Sequence, residues 1–171
     1  MNACKWLLIL GCLFGLAGCH SVFKHPPSHP VVGAWEVQSI TWSDGTQSQS
    51  INPAQPGMFI FNPNHYALMW SPKQTARIPF EHLAQPTDEE VLRGFKSIVF
   101  NAGAYQISGD ELVATARVAK VPGFAGGRLF YRFEFQGRQL LLTLYDEIYP
   151  DGSRPAWAGK WTTTFTLAPA T

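Results

Sequence analysis

Between residues 31 and 167 apolar and polar side chains alternate with period two, as in strands that bury one face and wet the other. Eight segments carry the alternation: residues 31–42, 58–62, 65–71, 104–108, 111–120, 128–136, 139–147 and 160–167. Pro63-Asn64, Gly109-Asp110 and Gly137-Arg138 separate neighbouring segments with residues suited to tight hairpin turns. Strands joined mainly by local hairpins predict a mainly β, antiparallel up-and-down meander. Closure into a barrel of about eight strands removes the edges that an open meander exposes.

One stretch has a different period. Thr87-Asp88-Glu89-Glu90 has the form of a capping box, and Val91, Leu92, Phe95, Ile98 and Val99 recur at helical spacing. The pattern predicts one α-helix over about 87–100, its apolar stripe packed over an end or along the wall of the barrel.

Hairpin registers predict which side chains point inward. A two-residue turn at Gly137-Arg138 sets Phe135 opposite Leu140, Phe133 opposite Leu142 and Tyr131 opposite Leu144 on one face. The turn at Gly109-Asp110 groups Tyr105, Ile107, Leu112, Ala114, Ala116 and Val118 in the same way. Asp146 shares the parity of Leu144, which puts it inside with Tyr131 as a polar group at a barrel mouth. Large aromatics beside two alanines suit either a cavity or a filled interior. The candidate ligand-binding residues are therefore Tyr105, Leu112, Ala114, Ala116, Tyr131, Phe133, Leu142, Leu144 and Asp146.

The N-terminus follows another logic. After a start carrying only Lys5, residues 6–17 form an apolar run too short to span a bilayer as a helix, which takes about 20 residues. A charged start, a short apolar centre and small residues at the end describe a secretory signal. Its last residues, Leu16-Ala17-Gly18-Cys19, resemble the lipobox of bacterial lipoproteins, in which the cysteine receives a diacylglyceryl group and cleavage falls before it. That resemblance implies a lipoprotein signal peptide over 1–18, acylation of Cys19 with palmitate-type chains, and a membrane anchor. His20, where inner-membrane retention would call for Asp, implies the outer membrane, with the protein facing the periplasm. Pro26, Pro27 and Pro30 make the following stretch a semi-rigid tether. The chain thus divides into a signal peptide at 1–18, a lipidated tether at 19–30 and a barrel domain at 31–168.

Composition narrows the function. Thirteen basic residues against 12 acidic ones lack the basic excess of a nucleic-acid binder. A 46% hydrophobic, 13% aromatic chain is no disordered polymer. All three cysteines, Cys4, Cys12 and Cys19, fall in the export segment, so processing leaves no pair for a disulfide. The sequence contains no Gly-rich phosphate loop, Gly-x-Ser-x-Gly elbow, His-Glu-x-x-His or Cys-x-x-Cys. His25 and His29 in a proline-broken tether read as solvated side chains rather than metal ligands. No histidine follows His82, which leaves the late strands without an axial haem ligand. No cofactor, metal or catalytic constellation is expected. Phe80, Tyr149, Arg154 and Trp157 sit in the two longer loops, where aromatics either gate a barrel or plug it.

Gly33-Ala34-Trp35 resembles the glycine-x-tryptophan signature of lipocalins and the wider calycin group, whose tryptophan closes one end of the barrel. Asp88-Glu89-Glu90, Gly103-Ala104-Tyr105, Gly109-Asp110, Pro122 with Gly126, and Gly137 before Leu140 together resemble the bacterial lipocalin-like domain family. The resemblance implies a calycin-like barrel for a small ligand, with Gly33 and Trp35 at its closed end. That family often carries a histidine after the Gly-Asp turn and an arginine nine residues after the proline, positions held here by Ala114 and Tyr131. A methyl group and a phenol in those places imply a small hydrophobic ligand rather than an anionic one. Two other readings stand beside this: a non-catalytic envelope interaction or maintenance protein with a filled barrel, and an isomerase- or cyclase-type enzyme.

Overall fold

The computed structural model describes residues 29–171; the signal peptide, Cys19, His25 and most of the tether lie outside the described residues. The elements run β1 (Gly33–Ser43), β2 (Ser48–Ile51), β3 (Met58–Phe61), β4 (His65–Trp70), α1 (Asp88–Lys96), β5 (Val99–Ser108), β6 (Glu111–Ala119), β7 (Arg128–Gln136), β8 (Gln139–Ile148) and β9 (Thr162–Pro169). The strands are hydrogen-bonded in the order β2-β1-β3-β4-β5-β6-β7-β8-β9, and β9 returns to β1. Every pairing is antiparallel, so all strands but β2 close an up-and-down barrel of eight. The short β2 shares one edge of β1 with β3: residues 40–43 of β1 pair with β2, and residues 33–36 pair with β3. Its sequence, Ser-Gln-Ser-Ile, shows no alternation because three of its four residues are exposed.

The hairpins have the expected registers, with Tyr131, Phe133 and Phe135 opposite Leu144, Leu142 and Leu140. Gly109 and Gly137 sit at φ +63° and +61°, the left-handed conformation that a tight hairpin turn requires and that glycine adopts without a Cβ penalty.

The helix is shorter than its periodicity predicts. Thr87 and Glu90 form the reciprocal capping box, but α1 stops at Lys96, and the Ser97 hydroxyl donates to the Gly94 carbonyl at 2.7 Å. Val99 and Phe100 open β5 instead, opposite Trp70 and Met69 of β4. A β-branched and an aromatic residue suit a strand as well as a helix end, and the ladder with β4 decides between them. Nor does the apolar stripe pack on the barrel. No α1 residue is buried, and Val91, Leu92 and Phe95 are about half exposed. The Phe80 ring lies against Gly94 and lines the helix rather than plugging the barrel.

Three bulges interrupt the alternation. Gln38 in β1, Arg117 in β6 and Tyr145 in β8 are each an extra residue against the partner strand. Each insertion reverses the facing of everything beyond it. Val118, expected inside, is 58% exposed, and Ala119 turns inward in its place. Asp146, also expected inside, lies opposite the outward Phe130, while Glu147 takes the inner position opposite Leu129. The bulge at Arg117 is seated on Gly103, where a Cβ would collide with the Thr115 carbonyl oxygen and lie 2.9 Å from the Arg117 nitrogen.

Candidate ligand cavity

The connections sort to opposite ends of the barrel. The β3–β4, β5–β6 and β7–β8 hairpins gather at one end, together with the start of the domain. The β1–β2 turn, the long β4–β5 connection with α1, and the β6–β7 and β8–β9 loops gather at the other.

The hairpin end is closed. Trp35 Nε1 donates to the Val31 carbonyl at 2.8 Å, and Val31 is fully buried. The Trp35 ring meets Phe135 at 6.1 Å, and His29 stands edge-on to Phe133 at 5.5 Å. Above this plug Ile40, Phe59, Leu112, Leu140, Leu142 and Leu167 fill the barrel without exposed surface.

The loop end holds a cavity of about 800 Å³. Leu68, Leu129, Tyr131, Leu144 and Phe165 line its barrel side; Trp42, Trp70, Phe124, Trp157 and Trp161 supply aromatic walls. The Trp70 ring stands edge-on to Phe165 at 5.0 Å and lies 6.4 Å from Trp42. Phe124 and Tyr149 meet edge-on at 6.1 Å, which joins the β6–β7 and β8–β9 loops at the rim. Trp42, Ala119 and Glu147 each follow one of the three bulges and each lines the cavity, so the bulges set which side chains form its wall.

Few polar groups interrupt this surface. Asn101 is 5% exposed, and its Oδ1 has no hydrogen-bond partner among the described residues. Burial pushes the Glu147 carboxyl up to about 7, and the neighbouring Asp146 charge adds to the effect. Burial also raises the Tyr131 phenol, helped by Tyr66 and Glu147, while the buried Tyr66 hydroxyl has no partner among the described residues. Lys120 also reaches the cavity, but its Nζ donates to the Phe95 and Ile98 carbonyls at 2.8 and 2.6 Å and lies 4.3 Å from the Phe95 ring centre. Asp151 at the rim accepts from the Ser153 hydroxyl and backbone N–H, which hold its carboxyl below the ordinary range.

Of the nine side chains expected to meet a ligand, Tyr131 and Leu144 line the cavity. Tyr105, Leu112, Ala114 and Leu142 belong to the packed core, and Ala116 is buried in β6 without reaching the cavity. Phe133 packs toward the closed end beside His29. Asp146 points outward and accepts from Arg154 Nε at 3.1 Å, so Asp146 and Tyr131 do not share an accessible cavity. Parity identified inward positions without showing at which height the interior opens. Of the lining residues missed, Trp42, Ala119 and Glu147 lie beyond bulges that leave no local signal, whereas Trp157 was legible as a loop aromatic. Among the described residues no three His, Cys, Asp or Glu side chains gather as metal ligands do.

A lipocalin-like domain family model matches residues 32–167, the whole barrel. Among solved structures, the chain is similar to a lipocalin-like protein from Bacteroides uniformis ATCC 8492, with 14% identity, a TM-score of 0.40, and coverage of 83% of this chain and 100% of that one. No curated protein matches the sequence.

Proposed function

The chain belongs to the lipocalin-like domain family, and from that premise we propose that it is a lipid-anchored envelope lipoprotein that binds a small apolar ligand at the loop end of its barrel. The cavity carries this reading. Its volume of about 800 Å³ and its aromatic walls match sites that enclose a small apolar molecule and orient it with a few polar groups. Among the described residues, the lining cation Lys120 has two of its three N–H donors committed to the Phe95 and Ile98 carbonyls and shares the wall with Glu147 and Asp151, which disfavours an anionic ligand. Displacement of a fluorescent fatty acid or an aromatic dye from the purified protein tests the reading. Apolar and aromatic compounds should displace the probe; binding of anionic metabolites alone would overturn it.

The anchor is Cys19, and the proposed location is the outer membrane, facing the periplasm. His29 lies ten positions after Cys19, at most about 35 Å of extended chain. The barrel therefore begins within that reach of the bilayer, at its closed end. Cys19→Ser should abolish incorporation of labelled palmitate, and retained label would refute the anchor.

A second reading draws on the exposed stripe of α1 and on the filled half of the barrel: an envelope interaction protein with no ligand. A probe that never binds would favour it.

A further inference from the structure

We propose that the β4–β5 connection docks on an anionic lipid bilayer, using four cations and the exposed apolar side chains beside them. The docking surface lies outside the ligand cavity and does not depend on the apolar-ligand reading.

The loop after β4 and the helix α1 enclose a groove of about 510 Å³. Lys73 and Arg77 line it from the loop, and Arg93 and Lys96 line it from the helix, with Glu89 the acid among them. The whole chain has 13 lysines and arginines against 12 acids, so four cations beside one carboxylate are a local concentration rather than a reflection of composition. Among the described residues, the one ion pair these cations make is Arg93 to Glu90 at 3.9 Å. Arg77 Nε donates to the Ser97 hydroxyl at 2.9 Å, which fixes the loop against the end of the helix. The helix C-terminus there carries about half a negative charge, too little to balance four cations.

Apolar side chains share this surface. Ile78 and Leu92 line the same groove at 65% and 52% exposure, and Leu83, in the same connection, is 83% exposed. Val91 and Phe95 extend the stripe along α1, none of whose side chains is buried. A soluble anion or an acidic peptide would answer the cations and leave Ile78 and Leu83 in water. An anionic bilayer answers both: headgroup phosphates meet lysine and arginine, and apolar side chains enter the acyl boundary, as they do for amphipathic segments that lie in the membrane interface.

The dimensions allow it. A strand of ten residues such as β5 is about 33 Å long, no more than the reach of the tether, so a barrel anchored at Cys19 can lay its flank on the surface. Lys120 ties this flank to the cavity, because it lines the cavity while its Nζ donates to the Phe95 and Ile98 carbonyls at the end of α1. Docking therefore sets lipid beside the cavity mouth. That last consequence alone rests on the apolar-ligand reading: an apolar ligand would pass between bilayer and cavity with little exposure to water.

Flotation with vesicles tests the docking surface in the full chain carrying Cys19→Ser, which has no acyl chains; every variant keeps the same N-terminus, so differences between them report on the groove. Vesicles of phosphatidylcholine with about 40% phosphatidylglycerol should bind at least about tenfold more protein than phosphatidylcholine alone, and about 0.5 M salt should remove most of that advantage. Lys73→Gln with Lys96→Gln should weaken binding to the anionic vesicles about twentyfold, at about fivefold for each cation. Ile78→Ser with Leu83→Ser should weaken it several-fold; both residues are largely exposed loop positions on which the fold does not depend. Equal binding to the two kinds of vesicle overturns the proposal, as does anionic binding that the lysine pair leaves unchanged. Groove-dependent binding to soluble polyglutamate without binding to vesicles also overturns it, in favour of an acidic protein partner. None of these outcomes touches dye displacement from the cavity, so failure here leaves the apolar-ligand reading standing.

Discussion

The two ends of this barrel are built from the same strands and behave as different materials. At the closed end short hairpins bring strands together directly, Trp35 is fastened to Val31, and residues such as Leu142 and Leu167 leave no surface to solvent. At the loop end most strands are joined by long connections, and apolar side chains stand around a cavity of about 800 Å³. Both ends are rich in aromatic and aliphatic groups, so hydrophobicity does not separate them. Strand facing does. Above the bulges at Gln38, Arg117 and Tyr145 the wall gains Trp42, Ala119 and Glu147, and the ladder no longer presents the mutually filling set found below. Stability should therefore reside in the closed half and binding in the open half.

The sharpest way to break that division is to remove one buried side chain from each half. Leu142→Ala at the closed end should cost about 2–5 kcal/mol, the loss expected when a fully buried leucine leaves a cavity, measured by urea unfolding. Trp157→Ala at the mouth should cost less than about 1 kcal/mol and instead weaken dye binding several-fold, because its ring lines space already open. Equal losses from the two would dissolve the distinction.

Gly103→Ala probes the boundary between the halves. A methyl group there meets backbone rather than a side chain that can move, so a loss of about 1–3 kcal/mol is expected, with dye binding reduced as the Arg117 bulge shifts. Unchanged stability would show that the bulge does not depend on glycine.

Glu147 is a polar cost of the open half, and its sign can be worked out. Burial raises its folded-state pKa from an ordinary 4.5 to about 7. The folded protein thus holds a proton that the unfolded chain has lost between those values. Its contribution is fully present below about pH 4.5 and is lost as pH rises through 7. Glu147→Gln should leave stability near wild type at pH 4 and raise it by about 1–3 kcal/mol at pH 8, read from unfolding midpoints at both pH values. A stabilisation that does not grow with pH would place the carboxyl in water.

The smallest effect belongs to the helix. Thr87→Ala removes the N-cap hydroxyl from Glu90 N–H and should cost about 1 kcal/mol of local helix stability. Because no side chain of α1 is buried, faster amide exchange in residues 88–92 should accompany a nearly unchanged global midpoint. A fall in the global midpoint would tie the helix to the barrel more firmly than its packing does.

Much of this architecture was legible because hairpin physics is local. Gly109, Gly137 and the alternation beside them are enough to pair Phe133 with Leu142 and Tyr105 with Ala114. The capping box at Thr87 was equally readable, since Thr87 and Glu90 bond each other three residues apart. The end of the helix was not: Ile98 and Val99 continue the helical spacing, and only the ladder with Trp70 draws Val99 into a strand. The four-residue β2 escaped detection because it buries too little to leave a pattern.

The candidate site was read less well, for one physical reason. By itself the sequence determined the fold class, the hairpin registers, the closing tryptophan and the family, all of which depend on neighbours along the chain or on a repeating period. Tertiary structure decided where the interior is full and where it is empty, and which acid faces it. Asp146 and Glu147 are adjacent, and a single extra residue at Tyr145 exchanges their sides. Period-two reasoning holds only within an unbroken ladder, and a bulge breaks the ladder, even inside a single hairpin, without leaving a mark in the local sequence.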